Sequence, residues 1–360
     1  MHLSWYPYTL HFTFDAGTSR GILREKKTWI IQVRDHANTA CFGLGEAGPL
    51  AGLSLDDRPD LEAQLSQLQT ILAEEPMPQK PDKVGPWVAQ WVPATWPSLR
   101  FGLETAILDF LHGGKRILFP STFTDGKEPI NINGLIWMGD HATMAQRLEE
   151  KLALGFKTIK LKIGAIDFES ELALLKTVRE RFSSEDITLR VDANGAFSPQ
   201  DAPEKLKRLS EYELHSIEQP IAANQWDAMA TLCRESPIPI ALDEELIGLQ
   251  NREKKVHLLD TLNPPYIILK PTLVGGLHQT AEWIELAEAR NIGWWMTSAL
   301  ESNVGLNAIA QFTATYHPTL PQGLGTGQLY HNNLMAPLHQ EGGWLYYHQS
   351  KHWNLGPIFG

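Results

Sequence analysis

The sequence contains little cysteine, no run of basic residues and no long apolar segment. Its two cysteines, Cys41 and Cys233, lie far apart and have no partners at the spacing of a metal site. They therefore predict neither a disulfide framework nor a zinc cluster. Such sparse use of cysteine is typical of a reducing compartment, and we expect a cytoplasmic protein.

Membranes and nucleic acids are equally unexpected as partners. No segment approaches the roughly 20 apolar residues that a membrane-spanning helix needs. Residues 1–5 do not begin a basic stretch followed by an apolar one, so we expect no cleaved leader. The 42 acidic residues outnumber the 31 basic ones and give a net charge of -11, which disfavours binding to phosphates. The sequence specifies no oligomeric state.

Length and composition predict two domains. At 360 residues and 43% hydrophobic content, the chain exceeds the size at which one core usually splits. We expect a small α+β capping domain over residues 1–125, a barrel over 126–330, and a C-terminal segment, 331–360, that can return to the cap. The first domain is predicted to contain three antiparallel strands and two helices, at residues 5–14, 28–35, 40–46, 55–74 and 97–111. Residues 15–21 predict a mobile loop, and the proline-rich residues 76–86 predict irregular chain.

From residue 131 onward, short apolar strands alternate with helical stretches, which is the arrangement of repeated βα units. The candidate strands cover residues 131–137, 158–163, 188–192, 215–218, 238–243, 266–270, 293–298 and, with the weakest pattern, 323–325. Their spacing of roughly 25–30 residues is typical of a (β/α)₈ barrel. The sequence therefore predicts an α/β fold, a TIM-like (β/α)₈ barrel with an N-terminal α+β capping domain.

Five of the predicted strands end in a charged residue. These residues are Lys162, Asp192, Glu218, Asp243 and Lys270. In such barrels the active site lies at the C-terminal ends of the strands, so we expect the five side chains to share one cup. Each residue alone is also typical of a solvated lysine, a turn or a helix cap. Their common position in consecutive βα units favours a shared site.

The three carboxylates suggest a metal site. Asp192, Glu218 and Asp243 end neighbouring predicted strands, where unpaired carboxylates would repel one another. A divalent cation relieves this repulsion. Because oxygen-only ligands favour Mg²⁺, or Mn²⁺, over zinc, we expect these residues to bind Mg²⁺ or Mn²⁺.

The lysines suggest proton transfer. Lys162 and Lys270 end strands on opposite sides of the barrel and are expected to flank a bound acid. An ordinary lysine, with a pKa of about 10.4, is a poor base at neutral pH. Lys160 shares a strand face with Lys162, and its charge is expected to disfavour protonation of that neighbour. Lys162 is therefore the predicted general base, Lys270 the cationic stabiliser, and Lys160 the residue that tunes the base.

The sequence resembles the enolase superfamily, in its muconate-lactonizing subgroup, and within it the o-succinylbenzoate synthase family. The barrel motifs of this resemblance are Lys160-Leu-Lys162, Val191-Asp-Ala-Asn-Gly195, Glu218-Gln-Pro220, Asp243-Glu-Glu245 and Leu269-Lys-Pro-Thr-Leu-Val-Gly-Gly276. The narrower resemblance rests on residues 100–109 and on Met296-Thr-Ser-Ala-Leu-Glu-Ser-Asn303. The superfamily resemblance implies that Lys162 is the acid/base residue. It also implies a cap that closes over the barrel through residues 43–48 and the loop around Thr18 and Arg20.

The implied reaction is the metal-dependent dehydration of 2-succinyl-6-hydroxy-2,4-cyclohexadiene-1-carboxylate to 2-succinylbenzoate in menaquinone biosynthesis. The expected partner is thus a small-molecule carboxylate. Thr18, Arg20, Ser298 and Glu301 are candidate substrate contacts, although the last two are equally typical of a helix cap and a first-turn charge. We expect Ser298 and the nearby Ser302 and Asn303 to receive the succinyl carboxylate. Glu301 is expected to point away or to bond to backbone.

Other functions remain open. Within the superfamily, an N-acylamino acid racemase, a dipeptide epimerase or a cycloisomerase would use the same metal and lysines on another acid. Residues 323–327 lack the paired aspartates with which dipeptide epimerases hold a substrate ammonium, which disfavours that activity. A Schiff-base aldolase would not need three carboxylates, and a non-catalytic relative would be expected to have a broken ligand set.

Overall fold

The computed structural model of the chain describes residues 1–18, 21–36, 41–164 and 166–360. Its N-terminal region is a three-stranded antiparallel sheet, in the order β1-β2-β3, with three helices. These elements are β1 (His2–Thr18), β2 (Gly21–Arg34), β3 (Gly43–Ala47), α1 (Leu61–Leu72), α2 (Pro81–Trp91) and α3 (Pro97–Leu111). Glycine lets β3 lie directly on α3, since a Cβ at Gly45 would lie only 1.9 Å from the carbonyl oxygen of Gly102.

Two local predictions for this region need correction. The loop predicted over residues 15–21 is instead strand for residues 15–18 and for Gly21, while residues 19 and 20 lie outside the described residues. At this end of the hairpin the Arg24 guanidinium donates to both carboxylate oxygens of Asp15, at 2.9 and 3.1 Å. A register shift between His11 and Ala16 accommodates the irregularity that the sequence suggested.

The second correction concerns α2, where we predicted irregular chain. Pro81 can begin the helix because the first helical turn does not need its missing N–H group. Val84 and Val88 are buried, which favours the helix despite Pro86 inside it. The preceding helix, α1, begins at Leu61 rather than at residue 55.

The second region is built around seven parallel strands, in the order β11-β10-β9-β8-β7-β6-β5. From residue 130 the elements are β4 (Ile130–Asn131), β5 (Gly134–Ile136), α4 (His141–Ala153), β6 (Thr158–Lys162), α5 (Phe168–Arg179), β7 (Thr188–Asp192), α6 (Ala202–Ser210), β8 (Ser216–Glu218), α7 (Trp226–Glu235), β9 (Ile240–Leu242), a 3₁₀ turn (Glu244–Leu246), α8 (Arg252–Leu262), β10 (Tyr266–Leu269), α9 (Pro271–Val274), α10 (Leu277–Glu288), β11 (Gly293–Met296), α11 (Asn303–Ala314), β12 (Leu338–Glu341), β13 (Trp344–Tyr347) and α12 (Gly356–Phe359). The α/β class is confirmed, and the curled sheet is consistent with a TIM-like barrel. Among the described residues, no helix is long and apolar enough to cross a membrane.

The two edges of the parallel sheet are bridged by a short segment at the position of the predicted last strand. Gln322 pairs with Ile132 on one side, and Gly323 pairs with Thr297 on the other. The Gly323 N–H donates to the carbonyl of Met296 at 2.7 Å. The sheet therefore curls back on itself. Its two edges meet at a seam of isolated bridges, which is weaker than a continuous strand pairing.

The predicted first barrel strand, residues 131–137, divides between two sheets. β5 joins the parallel sheet, whereas β4 pairs antiparallel with β13 of the C-terminal hairpin β12–β13. Beyond that hairpin, Trp353, Leu355 and Ile358 pack in a cluster with Ile30 and Leu44 of the N-terminal sheet. The C-terminal residues thus contact the N-terminal region, while the exact domain limits stay a prediction.

Two buried carboxylates tie the N-terminal region to the parallel sheet and its helices. Glu104 of α3 accepts hydrogen bonds from the N–H groups of Leu277 and His278, at 2.5 and 3.2 Å, at the start of α10. Glu46 of β3 accepts from the Ser302 hydroxyl at 2.5 Å and from the Gly305 N–H at 2.8 Å, at the start of α11. Each carboxylate satisfies helix N–H groups that have no partner within their own helix.

We predict that Glu104 makes stability depend on pH. Burial raises the pKa of Glu104 from 4.5 to about 8. Between these values the folded protein holds a proton that the unfolded chain has released, so the free energy of unfolding falls as pH rises through this window. Glu104→Gln keeps an acceptor oxygen but cannot ionise. We expect the variant to be more stable than the wild type by on the order of 3 kcal/mol at pH 8.5, and nearly equal to it at pH 5.

Urea unfolding of both proteins across pH 5–9 measures this difference. Glu211→Gln, at an exposed position, is the matched control and should leave the pH profile unchanged. Parallel profiles for the wild type and Glu104→Gln would contradict the prediction.

Candidate active site

A cavity of about 290 Å³ lies at the C-terminal ends of the parallel strands. Its polar lining consists mainly of predicted site residues and their neighbours, Lys160, Lys162, Asp192, Asn194, Lys270 and Ser298. Leu23 of β2 and residues 50–52, which follow β3, cover it from the N-terminal region. The cavity therefore has the position that barrel enzymes use for catalysis.

Strand register aligns the five charged residues. Lys162, Asp192 and Glu218 are the last residues of β6, β7 and β8, and they pair directly across the sheet. Asp243 and Lys270 each lie one residue beyond a strand, after β9 and β10. The structure thus brings together all five residues that the sequence pattern selected.

Lysine ammonium groups contact each buried carboxylate. Lys160 Nζ lies 2.8 Å from Asp192 Oδ2 and 2.6 Å from Glu218 Oε2. Lys162 Nζ lies 3.0 Å from that same oxygen of Asp192, and Lys270 donates to Asp243. Lys160 and Lys162 therefore point to the same side of β6, as the alternation of a strand requires.

Burial and charge shift the pKa values of these groups in different directions. Burial raises the pKa of Asp192, but the three lysines lower it more, so that it stays below the usual range. Burial raises the pKa values of Glu218 and Asp243, and neighbouring carboxylates add to the effect. For Lys160 and Lys270, burial lowers the pKa, but the surrounding carboxylates raise it more. The pKa of each charged group in the site therefore depends on the charge of its neighbours.

The donor set suits a divalent cation, although lysines contact the carboxylates here. Within the described part of the chain, no group of three His, Cys, Asp or Glu side chains is arranged as a metal site. One oxygen, Glu218 Oε1, is nevertheless buried and has no hydrogen-bond partner among the described residues. A buried carboxylate oxygen without a partner is costly unless a cation or donor satisfies it. Together with Asp192 and Asp243, it offers oxygen donors of the kind that a hard divalent cation prefers.

The predicted substrate contacts are placed unevenly. Ser298 lines the cavity, whereas Glu301 is fully buried behind it and accepts hydrogen bonds from the hydroxyls of Ser298 and Thr272. Glu301 therefore points away from the cavity, but it bonds to side chains rather than to backbone. Thr18 is the last residue of β1. Its side chain and the whole of Arg20 lie outside the part of the chain that the structure describes.

Ser302 and Asn303 do not form the expected polar wall. The Ser302 hydroxyl donates to Glu46 and accepts from the Val304 N–H at the start of α11. The Asn303 amide donates to the carbonyl of Leu334 at 2.7 Å. Both side chains are engaged elsewhere because the chain turns into α11 immediately after Leu300, whose φ of 66° is left-handed.

Sequence reasoning missed four polar residues of the cavity, and one of them is Thr297, directly after β11. Asn194 accepts a hydrogen bond from Lys162 at 2.7 Å, and its φ of 44° suits an asparagine in a turn, so the Asp-Ala-Asn-Gly segment contained a signal. Asn133 and Thr326 also line the cavity. Asn133 shares a face with Leu135, as strand alternation predicts, whereas no local pattern indicates Thr326.

Comparison with known proteins agrees with this geometry. A family model described as "Enolase C-terminal domain-like" matches residues 143–349. An o-succinylbenzoate synthase from Desulfotalea psychrophila is 50% identical, over 96% of this chain and 98% of that protein. A crystal structure of MenC from Desulfotalea psychrophila has a TM-score of 0.87 at 46% identity, covering 96% of this chain and 99% of that one. An L-Ala-D/L-Glu epimerase from Bacillus subtilis shares the fold, with a TM-score of 0.83 at 18% identity, covering 99% and 97% of the chains.

We predict that Lys160 stabilises the fold by pairing with two buried carboxylates. Lys160→Met removes the ammonium group and leaves Asp192 and Glu218 without it. Breaking such a buried pair typically costs about 3–5 kcal/mol, so the free energy of unfolding in EDTA should fall by about that amount. Millimolar Mg²⁺ should recover part of the loss, because a ligand that binds only the folded state stabilises it.

Chemical unfolding in EDTA and in Mg²⁺ provides the measurement. Lys157→Met, at an exposed position just before β6, removes the same charge and should change little. Unaltered stability of Lys160→Met in EDTA would show that the pairing contributes nothing.

Proposed function

Because the chain belongs to the enolase C-terminal domain-like family of the enolase superfamily, we propose that it dehydrates 2-succinyl-6-hydroxy-2,4-cyclohexadiene-1-carboxylate to 2-succinylbenzoate and water. The observation that carries the proposal is one cavity lined by Lys162 and Lys270, with buried carboxylates beside both lysines. Identity of 50% to an o-succinylbenzoate synthase, over nearly all of both chains, supports this choice of substrate.

The difficult step is removal of a weakly acidic proton next to a carboxylate. In the proposed site, Asp192, Glu218 and Asp243 would hold Mg²⁺ or Mn²⁺. When bound, that cation supplies positive charge to the substrate carboxylate. Lys160 stays paired with Asp192 and Glu218 and keeps those two side chains in position.

Lys162 and Lys270 divide the remaining work. Lys162, in its neutral form, accepts the α-proton at Nζ and delivers it to the departing hydroxyl group, so that water leaves from the same face and the ring becomes aromatic. Lys270 keeps its proton at neutral pH, because nearby carboxylates raise its pKa more than burial lowers it. Its positive charge then stabilises the negative charge that develops on the substrate.

The finer structural assignments belong to the same proposal. We take residues 323–325, at the bridges formed by Gln322 and Gly323, as the eighth strand of a (β/α)₈ barrel and residues 1–125 as its cap. Mg²⁺ is the proposed metal, with Mn²⁺ as a substitute, since both accept oxygen ligands. A cytoplasmic location accords with the sparse use of cysteine.

The lysines should be distinguishable by isotope exchange. Lys162→Ala should lower both dehydration and exchange of the α-proton with heavy water by about 10³-fold or more, since it removes the general base. Lys270→Ala should lower turnover comparably through loss of a charge. Mass spectrometry and NMR measure the exchange, and Lys176→Ala on the exposed face of α5 is the control. Wild-type exchange in Lys162→Ala would require another base.

Relative specificity tests the proposed substrate. The kcat/KM for the cyclohexadiene carboxylate should exceed that for N-succinyl amino acids and for dipeptides by about 10²-fold or more. Activity should disappear in EDTA and return with Mg²⁺. A higher kcat/KM for an N-succinyl amino acid or a dipeptide would overturn the named reaction while leaving the proton-transfer centre intact. Full activity after exhaustive metal removal would overturn the role assigned to the three carboxylates.

A further inference from the structure

Gln219 is a buried residue at which the segments that carry the three carboxylates meet. It directly follows Glu218, the last residue of β8. Its backbone N–H donates to the carbonyl of Ala241, in β9, at 2.9 Å. Its own carbonyl accepts from the N–H of Gly195, in the loop that follows β7, at 2.7 Å. The backbone of this one residue therefore links β8 to the segments that carry the other two carboxylates.

The side chain of Gln219 binds the segment that contains Asp243. Its Oε1 accepts from the N–H groups of Asp243 and Glu245, at 3.2 and 3.4 Å. Its Nε2 donates to the carbonyl of Ile221 at 3.0 Å and to the Glu245 carboxylate at 3.1 Å. The other oxygen of that carboxylate accepts from the Asn224 N–H at 2.8 Å. Because both ends of the amide are engaged, the side chain has one fixed orientation.

The backbone at Gln219 is left-handed, with a φ of 41°. Glycine and asparagine adopt this conformation more readily than glutamine does. Neither provides the same contacts, because glycine has no amide and the amide of asparagine stands on a stem one methylene shorter. Unusual backbone conformations cluster where the surrounding structure holds them for a function. The reach of the glutamine amide to Asp243 therefore accounts for its presence at a position that suits smaller residues.

The position of Asp243 depends on this amide. The pairing of β8 with β9 ends at Glu218 and Ala241, two residues before Asp243, which lies beyond the strand. The hydrogen bond from the Asp243 N–H to Gln219 Oε1 continues the connection past the last strand pair. The amide thus fixes the backbone of Asp243 relative to that of Glu218, its neighbour in the candidate metal site.

Divalent cations differ in how exactly their ligands must be placed. Mg²⁺ requires near-ideal octahedral geometry at short distances, whereas Ca²⁺ accepts variable numbers of oxygen ligands over a wider range of distances. Residues that orient metal ligands without touching the metal typically change its affinity by 10- to 100-fold. Fixed carboxylates therefore favour Mg²⁺, and loosened ones lose more affinity for Mg²⁺ than for Ca²⁺.

We propose that Gln219 is a positioning residue that holds Asp243 in a fixed place beside Glu218 and thereby makes the metal site selective for Mg²⁺ over Ca²⁺. This inference rests on the proposed function, in which Asp192, Glu218 and Asp243 hold the cation. Gln219 is not among the residues that line the active-site cavity, so it acts through the backbone of Asp243 rather than on the substrate.

Two substitutions of Gln219 test this role. Gln219→Asn keeps the amide and suits the left-handed backbone, but its shorter stem withdraws the amide from Asp243. Gln219→Met keeps the length of the side chain and removes the amide. Gln225→Met is the matched control, because the amide of Gln225 donates to the carbonyl of Ala222 in the same loop and does not contact the strand ends. Titration calorimetry of the metal-free full chain with MgCl₂ and with CaCl₂ gives the two Kd values, and urea unfolding in EDTA gives the stability.

Gln219→Asn and Gln219→Met should each raise the Kd for Mg²⁺ by about 10-fold or more and change the Kd for Ca²⁺ by less than about 3-fold. Gln225→Met should change neither. If Gln219→Met does not fold, Gln219→Asn decides alone. Lower stability in EDTA with an unaltered ratio of the two Kd values would show that Gln219 only supports the fold, and would overturn the proposal. Failure of the wild type to bind Mg²⁺ is a different result, since it would overturn the metal site itself and with it the role of Gln219.

Discussion

Buried charges at one end of the parallel sheet constrain the rest of the molecule. Asp192, Glu218 and Asp243 are at most 2% exposed, and isolated carboxylates in such surroundings would be strongly destabilising. The lysines of β6 and the lysine that follows β10 supply opposite charge at contact distance. Because these ions belong to adjacent strands in fixed register, the pairing requires every one of those strands to be in place. The charged residues therefore come together only when the sheet itself forms.

The N-terminal region contributes more than a cover to this site. Lys26 of β2 is buried and donates to the carbonyl of Ala299 at 2.7 Å, next to Ser298 in the cavity wall. From the other side, Glu301 accepts from Ser298 and from Thr272, two residues after Lys270. The cavity wall at Ser298 and the segment that carries Lys270 are thus joined in one buried network. A displacement of β2 would therefore shift both the cavity wall at Ser298 and the segment that carries Lys270.

Sequence patterns predicted the regular parts of this architecture and failed where chain direction depends on distant contacts. The strands β6 to β10 lie within two residues of their predicted positions, since buried parallel strands form apolar runs and these runs end in charged residues. The division of residues 131–137 between β4 and β5 depends on pairing with β13, more than 200 residues later in the chain, which no local pattern encodes. Likewise, the left-handed φ of Leu300 turns Glu301 inward, although leucine carries no preference for that conformation.

The regularly paired strands and the irregular segments contribute different parts of the cavity. The charged groups come from β6 to β10, where each strand has a neighbour on both sides. Another wall of the cavity comes instead from residues 133–137, 295–300 and 323–326, next to the isolated bridges Ile132–Gln322 and Thr297–Gly323. The ion pairs of the site join side chains of β6 to β8 and the residues that follow β9 and β10, so a substitution in the wall removes neither partner of these pairs. Among the described residues of this wall, the polar groups are hydroxyls and an amide rather than carboxylates. It can therefore donate to an anionic oxygen but has no charge with which to neutralise a substrate ammonium.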